Sequence, residues 1–437
     1  MGDIDLEGVL VGDDDVVPRA RYTSPQFLAL ELDRLWSRVW QVACREEEVA
    51  EVGDFVEYSI GEHSILVVRA APEVVGAYHN TCLHRGTRLA EGAGHFDDGR
   101  IRCRYHAWRY DLAGTLVEVV DAEEFAPLPE GLCLGRVRTE RWGGFVWICL
   151  DPDAPPLLDY LDPLPTLLAP YHLEGMRIRS YLSTVLPANW KVVVDAFNEG
   201  YHVQGTHPQI LPWTDDVGLE YERLGIHAHY GRLPSARREL RPSPRLGLSP
   251  GEYDEGEILA SFVAGLGALF YDDERALIEK VRAAGPGREG LLARYQRGKR
   301  ELLAARGVPV EGFADDELTS ADDVFFFPNM VGPIYPGTAI VFRVRPHGLD
   351  PDRAVKDTWF LEWPHGGAER DPNRARRRFF PDWTARDWGE ITNQDYANME
   401  HVQVGMKARG GGLRLNRRQE GNILHMHRMI DRYLTDR

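Results

Sequence analysis

Leu28, Leu32, Leu35, Trp36 and Val39 recur at helical spacing and predict a helix over residues 24–39, with Ser24 as its cap and Pro25 in its first turn. From Trp40 onward the pattern changes. Short alternating or β-rich runs at 55–58, 65–68 and 145–150 are separated by Gly and Asp, which predicts a small all-β domain over residues 40–155. The Pro-rich stretch 151–170 reads as a linker. Past Met176, strand-like runs at 341–344 and 359–363 mix with helical periodicity near 187–204 and 384–408. Residues 230–320 are rich in Arg, Glu and Ala with patches of helical spacing, and the chain shows no internal repeat. The expected class is α+β in three parts. An N-terminal helical segment (1–39) packs on a large C-terminal domain (156–437), and the all-β domain (40–155) lies between them in sequence.

At 437 residues there is room for two or three domains with sizeable cores. A formal net charge of −17 excludes a nucleic-acid partner, because binding phosphates needs a basic face. The five cysteines are too few and too scattered for a disulfide framework and fit a reducing, cytoplasmic setting. Residues 1–5 are acidic and lack the basic-then-apolar plan of a signal peptide. The longest apolar stretch, 258–270, is shorter than the roughly 20 residues a membrane span needs. A soluble protein without a membrane is expected.

Two short runs carry the chemistry. Cys82-Leu83-His84 is followed, after eighteen residues, by Cys103-Arg104-Tyr105-His106. Two thiolates and two imidazoles delivered as Cys-x-His and Cys-x-x-His suit a [2Fe–2S] centre of the Rieske kind, with the cysteines on one iron and the histidines on the other. Gly86, Gly92, Gly94 and Gly99 fit a pair of hairpins that bring the two tips together. A structural zinc site uses the same ligand types. Zinc sites, however, usually segregate cysteines and histidines, whereas each half here carries one of each.

In these loops, residues 79–86 and 103–114, the chain resembles the oxygenase (alpha) subunits of Rieske non-haem iron oxygenases, of the aromatic ring-hydroxylating type. The likeness follows motif order from end to end and is diffuse between motifs. It implies a Rieske domain followed by a helix-grip catalytic domain, a curved antiparallel sheet wrapped around a long helix. It also implies mononuclear Fe(II), O2 as co-substrate and a small organic, by resemblance aromatic, substrate. Electrons would come from a separate NAD(P)H-dependent reductase, with or without a ferredoxin, since no dinucleotide-binding glycine motif appears in this chain. A homotrimer is implied, with or without a small beta subunit.

The second site is read around His202 and His207. Asp195, Glu199 and His202 stand at i, i+4 and i+7, so one continuous helix would put them on one face, and Gly205 and Pro208 break it where His207 must swing back. Two such histidines and one carboxylate would make a facial triad with open iron positions. Asp395, just before the run Asn398-Met399-Glu400, is the carboxylate the resemblance favours, with Asp387 and Glu400 as alternatives. Many relatives carry Asp three residues before the first iron histidine, where this chain has Glu199. A carboxylate there can still orient His202, and the resemblance implies that it also meets His106 of a neighbouring subunit. Glu at this position also occurs in relatives that oxidise quaternary ammonium compounds. Monooxygenation of such a compound therefore stands as the alternative to an aromatic substrate, and a non-catalytic Rieske electron carrier as the alternative of another class. Trp108 is expected beneath the cluster loops, Phe262, Leu266, Phe270 and Phe325–Phe327 in plain core, and His425 and His427 on a surface.

Overall fold

The computed structural model describes residues 5–231, 240–249, 252–266, 270–285, 287, 289–365 and 375–435; the acidic opening read in the sequence falls largely outside them. Contacts divide the chain into two compact units. One comprises Ala29–Leu161 with His347–Leu349, the other Met1–Leu28, Asp162–Pro346 and Asp350–Arg437. The N-terminal segment is thus divided at Leu28, inside its helix, and not at residue 39.

The opening helix is shorter than its periodicity predicts. α1 spans Pro25–Arg34. Ser24 caps it as expected, its hydroxyl accepting from the Phe27 N–H at 3.2 Å. At the far end the Glu31 carbonyl receives both the Leu35 and the Trp36 N–H groups at 2.9 Å, and the helix opens into turns. Leu35, Trp36 and Val39 are buried without it.

Between residues 41 and 149 the first unit is built of strands. Its strands are β1 (Gln41–Arg45), β2 (Asp54–Ile60), β3 (His63–Ala71), β4 (Val74–His79), β5 (Ala93–His95), β6 (Arg100–Arg102), β7 (Arg109–Asp111), β8 (Leu116–Glu118), β9 (Arg136–Trp142) and β10 (Phe145–Cys149). Seven form a sheet in the order β1-β10-β9-β4-β3-β2-β5, and β6-β7-β8 form a second. The apolar run Ile65–Val68 is fully buried, as is every residue of β10, as continuous hydrophobic strands require. Between the sheets lies a core of Phe55, Leu66, Val68, Tyr78, Ile101, Trp108 and Tyr110, and the two Cys/His loops sit on it.

Residues 151–170 are not an open linker. They fold into two short helices, Leu157–Leu161 and Leu164–Leu168, burying Leu157, Tyr160, Leu161, Leu164 and Leu168.

The second unit is built on an eight-stranded sheet. Its strands are β11 (Arg177–Leu186), β12 (Glu220–Leu224), β13 (His227–Gly231), β14 (Asp322–Phe326), β15 (Met330–Tyr335), β16 (Thr338–His347), β17 (Asp350–Glu362) and β18 (Arg378–Phe380), ordered β12-β13-β14-β15-β16-β17-β11-β18. The pairs are antiparallel except β11 with the short edge strand β18, which runs parallel. The helices are α2 (Trp190–Ala196), α3 (Val203–Thr206), α4 (Glu255–Gly265), α5 (Asp272–Ala284), α6 (Leu291–Ala305), α7 (Glu390–Met406) and α8 (Gly421–Thr435). Phe262 and Phe270 sit in a helical core with Trp213, Ile258 and Tyr295, and Phe325, Phe326 and Phe327 are buried, both as expected.

On β17, alternate side chains serve opposite faces. Asp357 collects Arg343, Arg345 and Arg377, and although burial opposes ionisation, the three guanidinium groups hold its carboxyl far below the usual range. Lys356, one residue back, is buried against Phe342 and hydrogen-bonds the Tyr396 hydroxyl of α7 at 3.2 Å. Burial pulls its ammonium down to about 7. Among the described residues, no helix is long and apolar enough to cross a membrane.

Candidate active site

The two Cys/His loops are built alike. In the first, the Cys82 N–H bonds the Thr87 carbonyl and the Gly86 N–H the Cys82 carbonyl, both at 2.9 Å; in the second, Cys103 pairs likewise with Trp108 and Ala107, at 2.9 and 3.1 Å. The fourth residue after each cysteine has positive φ: Gly86 at 72° and Ala107 at 60°. Gly takes this conformation freely, whereas Ala carries a steric cost of about 1–2 kcal/mol that the loop must absorb.

These turns bring the four side chains together. Cys82 and Cys103 are 3% and 2% exposed, and burial, with the neighbouring Cys103 thiol adding to it, pushes the Cys82 thiol up. The His84 and His106 rings lie 4.5 Å apart, and His84 stacks on Trp108 at 5.0 Å. His84 Nδ1 is buried and has no hydrogen-bond partner. A buried orphan nitrogen beside two adjacent thiols is what a bound cluster would satisfy, so the residues fit the group. Tyr110, to which sequence reasoning assigned no role, reaches the cluster position from β7. Its hydroxyl accepts from the Leu83 N–H at 3.0 Å, which leaves its own hydrogen for Cys82 Sγ, 3.2 Å away.

The second site gathers as read, but on a different backbone. Residues 187–204 are not one helix: α2 ends at Ala196 and α3 begins at Val203. Glu199 is the reason. One carboxylate oxygen, Oε2, accepts from the backbone N–H groups of Tyr201 and His202, so the side chain closes a turn that a continuing helix would not allow. The other, Oε1, lies 2.6 Å from His202 Nδ1. Glu199 is 7% exposed and has both oxygens occupied.

His202, His207 and Asp395 offer ligand atoms that all lie within 4.8 Å of one another. Asp387 and Glu400 stay outside the group. Asp387 is exposed and caps the start of α7 through the Gly389 N–H, and Glu400 faces out from that helix. Gln394 is the residue sequence reasoning missed here. Its Oε1 accepts from Gln209 at 2.7 Å and meets His207 Nδ1 at 2.8 Å, so His207 carries its proton on Nδ1. The Nε2 lone pair then faces Asp395 Oδ1 at 2.7 Å. Two acceptors that close call for a positive charge between them, and a metal ion held by His202, His207 and Asp395 would supply it. Burial presses the His202 imidazole toward neutrality, but its bond to Glu199 and the charges of Glu199 and Asp395 outweigh that and raise it.

A cavity of about 610 Å³ opens beside these residues, lined by Asp195, Glu199, His202, Asp395 and Glu420 together with apolar side chains of α7 and α8. Asp195 is fixed from behind. The Arg21 Nε–H donates to His427 Nδ1 at 3.1 Å, so the neutral ring carries its proton on Nε2 and donates to the Tyr22 hydroxyl at 2.6 Å. Tyr22 in turn donates to Asp195 Oδ2 at 2.7 Å. Burial nonetheless pushes the Asp195 carboxyl up to about 8. The expectation that His425 and His427 lie on a surface is therefore wrong. Neighbours at i and i+2 do point apart, but α8 is buried on both sides, leaving His427 fully enclosed.

Comparison with known proteins agrees with this geometry. A family model described as Rieske [2Fe-2S] domain matches residues 39–129, and one described as Ring hydroxylating alpha subunit (catalytic domain) matches 172–436. The chain is 32% identical over 412 residues to the glycine betaine monooxygenase oxygenase subunit of Chromohalobacter salexigens, covering 90% of this chain and 80% of that one. The chain belongs to the alpha subunits of the Rieske non-haem iron oxygenases. The carnitine monooxygenase oxygenase subunit of Escherichia coli is 33% identical over 217 residues, 49% of this chain and 57% of that one. In fold, a crystal structure of naphthalene 1,2-dioxygenase with indole bound superposes with a TM-score of 0.69 at 18% identity, covering 99% of this chain and 95% of that one. As a Rieske oxygenase alpha subunit the protein is an oxidoreductase that uses O2, carrying a [2Fe–2S] domain and a non-haem iron domain. Alpha subunits of this family work with a reductase and oligomerise.

Proposed function

We propose that this alpha subunit oxidises a quaternary ammonium compound at an iron held by His202, His207 and Asp395, with electrons arriving through a Rieske cluster held by Cys82, His84, Cys103 and His106. The observation that carries the reading is Glu199, whose carboxylate orients His202 while lining the cavity. When bound, the cluster would supply single electrons, and the mononuclear iron would activate O2 beside the substrate.

The protein's own groups do the positioning. Glu199 and Gln394 each engage the Nδ1 of an iron histidine, leaving Nε2 for the metal, and Asp395 closes the triad. Glu199 also takes the role of bridge, meeting His106 of a neighbouring subunit in a head-to-tail ring, most simply a trimer. Its partners are a separate NAD(P)H-dependent reductase, with or without a ferredoxin. The five unpaired cysteines support work in the reducing cytoplasm.

The substrate class is supported by the relatives named for glycine betaine and carnitine, and by Glu in place of the commoner Asp at position 199. An aromatic substrate has weaker support, because the likeness to naphthalene dioxygenase is one of fold. The test is product analysis under labelled O2, with a reductase, against glycine betaine, carnitine and a set of arenes. Demethylation or C–N cleavage with one O2 consumed per carbonyl product released is expected, with the arenes unchanged. Arene cis-diols without attack on the ammonium compounds would replace this reading by ring dihydroxylation.

Two further outcomes follow from the geometry. Glu199→Gln keeps size but loses charge, so both metals should stay bound while electron transfer between them slows by about a hundredfold, as loss of a charged hydrogen-bond partner worth roughly 2–3 kcal/mol implies. Stopped-flow oxidation of the reduced cluster measures it. Tyr110→Phe should lower the cluster potential by about 60 mV, taking about 1.5 kcal/mol for a hydrogen bond that favours the reduced cluster. A spectroelectrochemical titration showing an unchanged potential would mean that Tyr110 does not donate to the cluster sulfur.

A further inference from the structure

The large sheet brings a second set of side chains up to the iron site. Tyr221, Tyr230 and Asp323 stand opposite one another across β12, β13 and β14, so their side chains share one face. Phe342 of β16 lies on that face too, through the pairing of Phe325 with Val331 and of Val331 with Phe342. The face meets the turn that carries Glu199. The Gly200 N–H donates to the Tyr221 hydroxyl at 3.0 Å, and the Tyr230 hydroxyl donates to the Phe197 carbonyl at 3.3 Å. The Phe342 ring packs on Phe197 with centroids 4.5 Å apart, and Tyr221 stacks on Tyr230 at 5.5 Å. Tyr230 is near enough to Glu199 and Asp395 to feel both charges.

This face is not sealed. Phe197, Tyr221, Tyr230, Asp323 and Phe342 are only half-buried, whereas the strand neighbours that point the other way, Asp322, Val324, Val341 and Arg343, are buried. Yet protein surrounds Asp323, and burial, against the pull of His229, pushes its carboxyl up to about 7. Accessible surface away from bulk solvent means an internal space between the sheet and the turn. Among the described residues no lysine or arginine pairs with Asp323. Its neighbour Asp322 is taken by Tyr171 and, at 3.0 Å, by His229. Lys356, buried against Phe342, directs its hydrogen bonds to Thr358 and Tyr396. A carboxyl group kept in such surroundings costs stability, and a cation brought from outside would offset that cost.

We propose that Asp323 is the specificity-determining residue that receives the substrate's quaternary ammonium group, with the rings of Tyr230 and Phe342 completing its seat. The inference rests on the substrate class proposed above and names the residue that reads it. A quaternary nitrogen has no N–H to donate, so its recognition falls to charge and to the electron-rich faces of aromatic rings. A carboxylate among tyrosine and phenylalanine rings offers both. Because Tyr230 lies within reach of the Asp395 charge, an N-methyl group of a cation seated there faces the iron site.

Exchanging nitrogen for carbon in the ligand tests it on the metal-loaded holoenzyme. The probes are glycine betaine and carnitine, each beside its carbon analogue, in which a tert-butyl group replaces the trimethylammonium group. Dissociation constants are measured by calorimetry. For at least one pair the wild type should hold the ammonium compound about tenfold or more tighter than the analogue. Asp323→Asn keeps size and loses charge. It should weaken that ammonium compound by about thirtyfold or more, as loss of one partner of an enclosed charge pair implies, and change the analogue by less than about threefold. Asp323→Glu should recover part of the preference, with iron content and cluster absorption unchanged in both variants. If Asp323→Asn does not fold, Asp323→Ser serves with the same readout. A wild type that prefers neither ammonium compound, a neutral variant that keeps the preference, or one that loses both members of a pair equally overturns the proposal. The product analysis above separates the two levels. If no ammonium compound is oxidised there, the substrate class fails and this inference with it. If one is oxidised while Asp323→Asn keeps the wild-type preference, only the role of Asp323 is lost.

Discussion

Cys103→Ala is expected to remove the cluster entirely. Cys103 is 2% exposed at the bottom of its loop, beside Cys82, and the loop is closed by backbone bonds that an alanine leaves in place. The substitution therefore takes away a ligand and little else. Three remaining donors cannot complete the second cysteine position on one iron, and a [2Fe–2S] centre does not assemble on an incomplete set. The purified variant should lack visible Rieske absorption and retain about one iron per chain where the wild type holds about three. Turnover should be lost, because electrons no longer reach the second site. A Cys103→Ala protein with a normal Rieske spectrum would contradict the ligand assignment.

Asp395→Ala is expected to do the converse, keeping the cluster and losing the catalytic iron. The carboxylate is the only anionic member of the group His202, His207 and Asp395, and it contacts His207 Nε2 at 2.7 Å. Without it two neutral imidazoles face a divalent cation alone. The loss of affinity should exceed the roughly 10–100-fold that removing a mere hydrogen-bond partner of a ligand costs. Iron should fall by about one per chain with the Rieske absorption unchanged, and turnover should drop to background. Wild-type iron content with persisting turnover would place the third ligand elsewhere.

Much of the candidate site was legible because its ligands are local. Cys82 with His84, and Cys103 with His106, each sit on one turn, so their spacing survives any arrangement of the sheets around them. His202 and His207 are five residues apart for the same reason. What failed was the backbone between Asp195 and His202, where helical spacing suggested a continuous face. The Glu199 carboxylate instead takes two backbone N–H groups for itself, a local competition that periodicity does not register. Residues 151–170 misled in the opposite direction. Prolines suggested a linker, yet Leu157, Tyr160, Leu161, Leu164 and Leu168 follow helical spacing and are buried. Gln394 and Tyr110 were invisible because their partners come from distant parts of the chain. So was the enclosure of His427, which depends on Arg21 and Tyr22 more than 400 residues away in sequence.

The central claim is that an electron stored between Cys82, His84, Cys103 and His106 is spent on O2 at the site formed by His202, His207 and Asp395. The direct measurement is a single turnover without reductase. The fully reduced holoenzyme is mixed with labelled O2 and a trimethylammonium substrate, and cluster oxidation and product are followed in the same samples. The account predicts that the cluster is oxidised and product appears at the same rate, with one O2 consumed per product. Cluster oxidation without product, or product formed without O2 consumption, would contradict it.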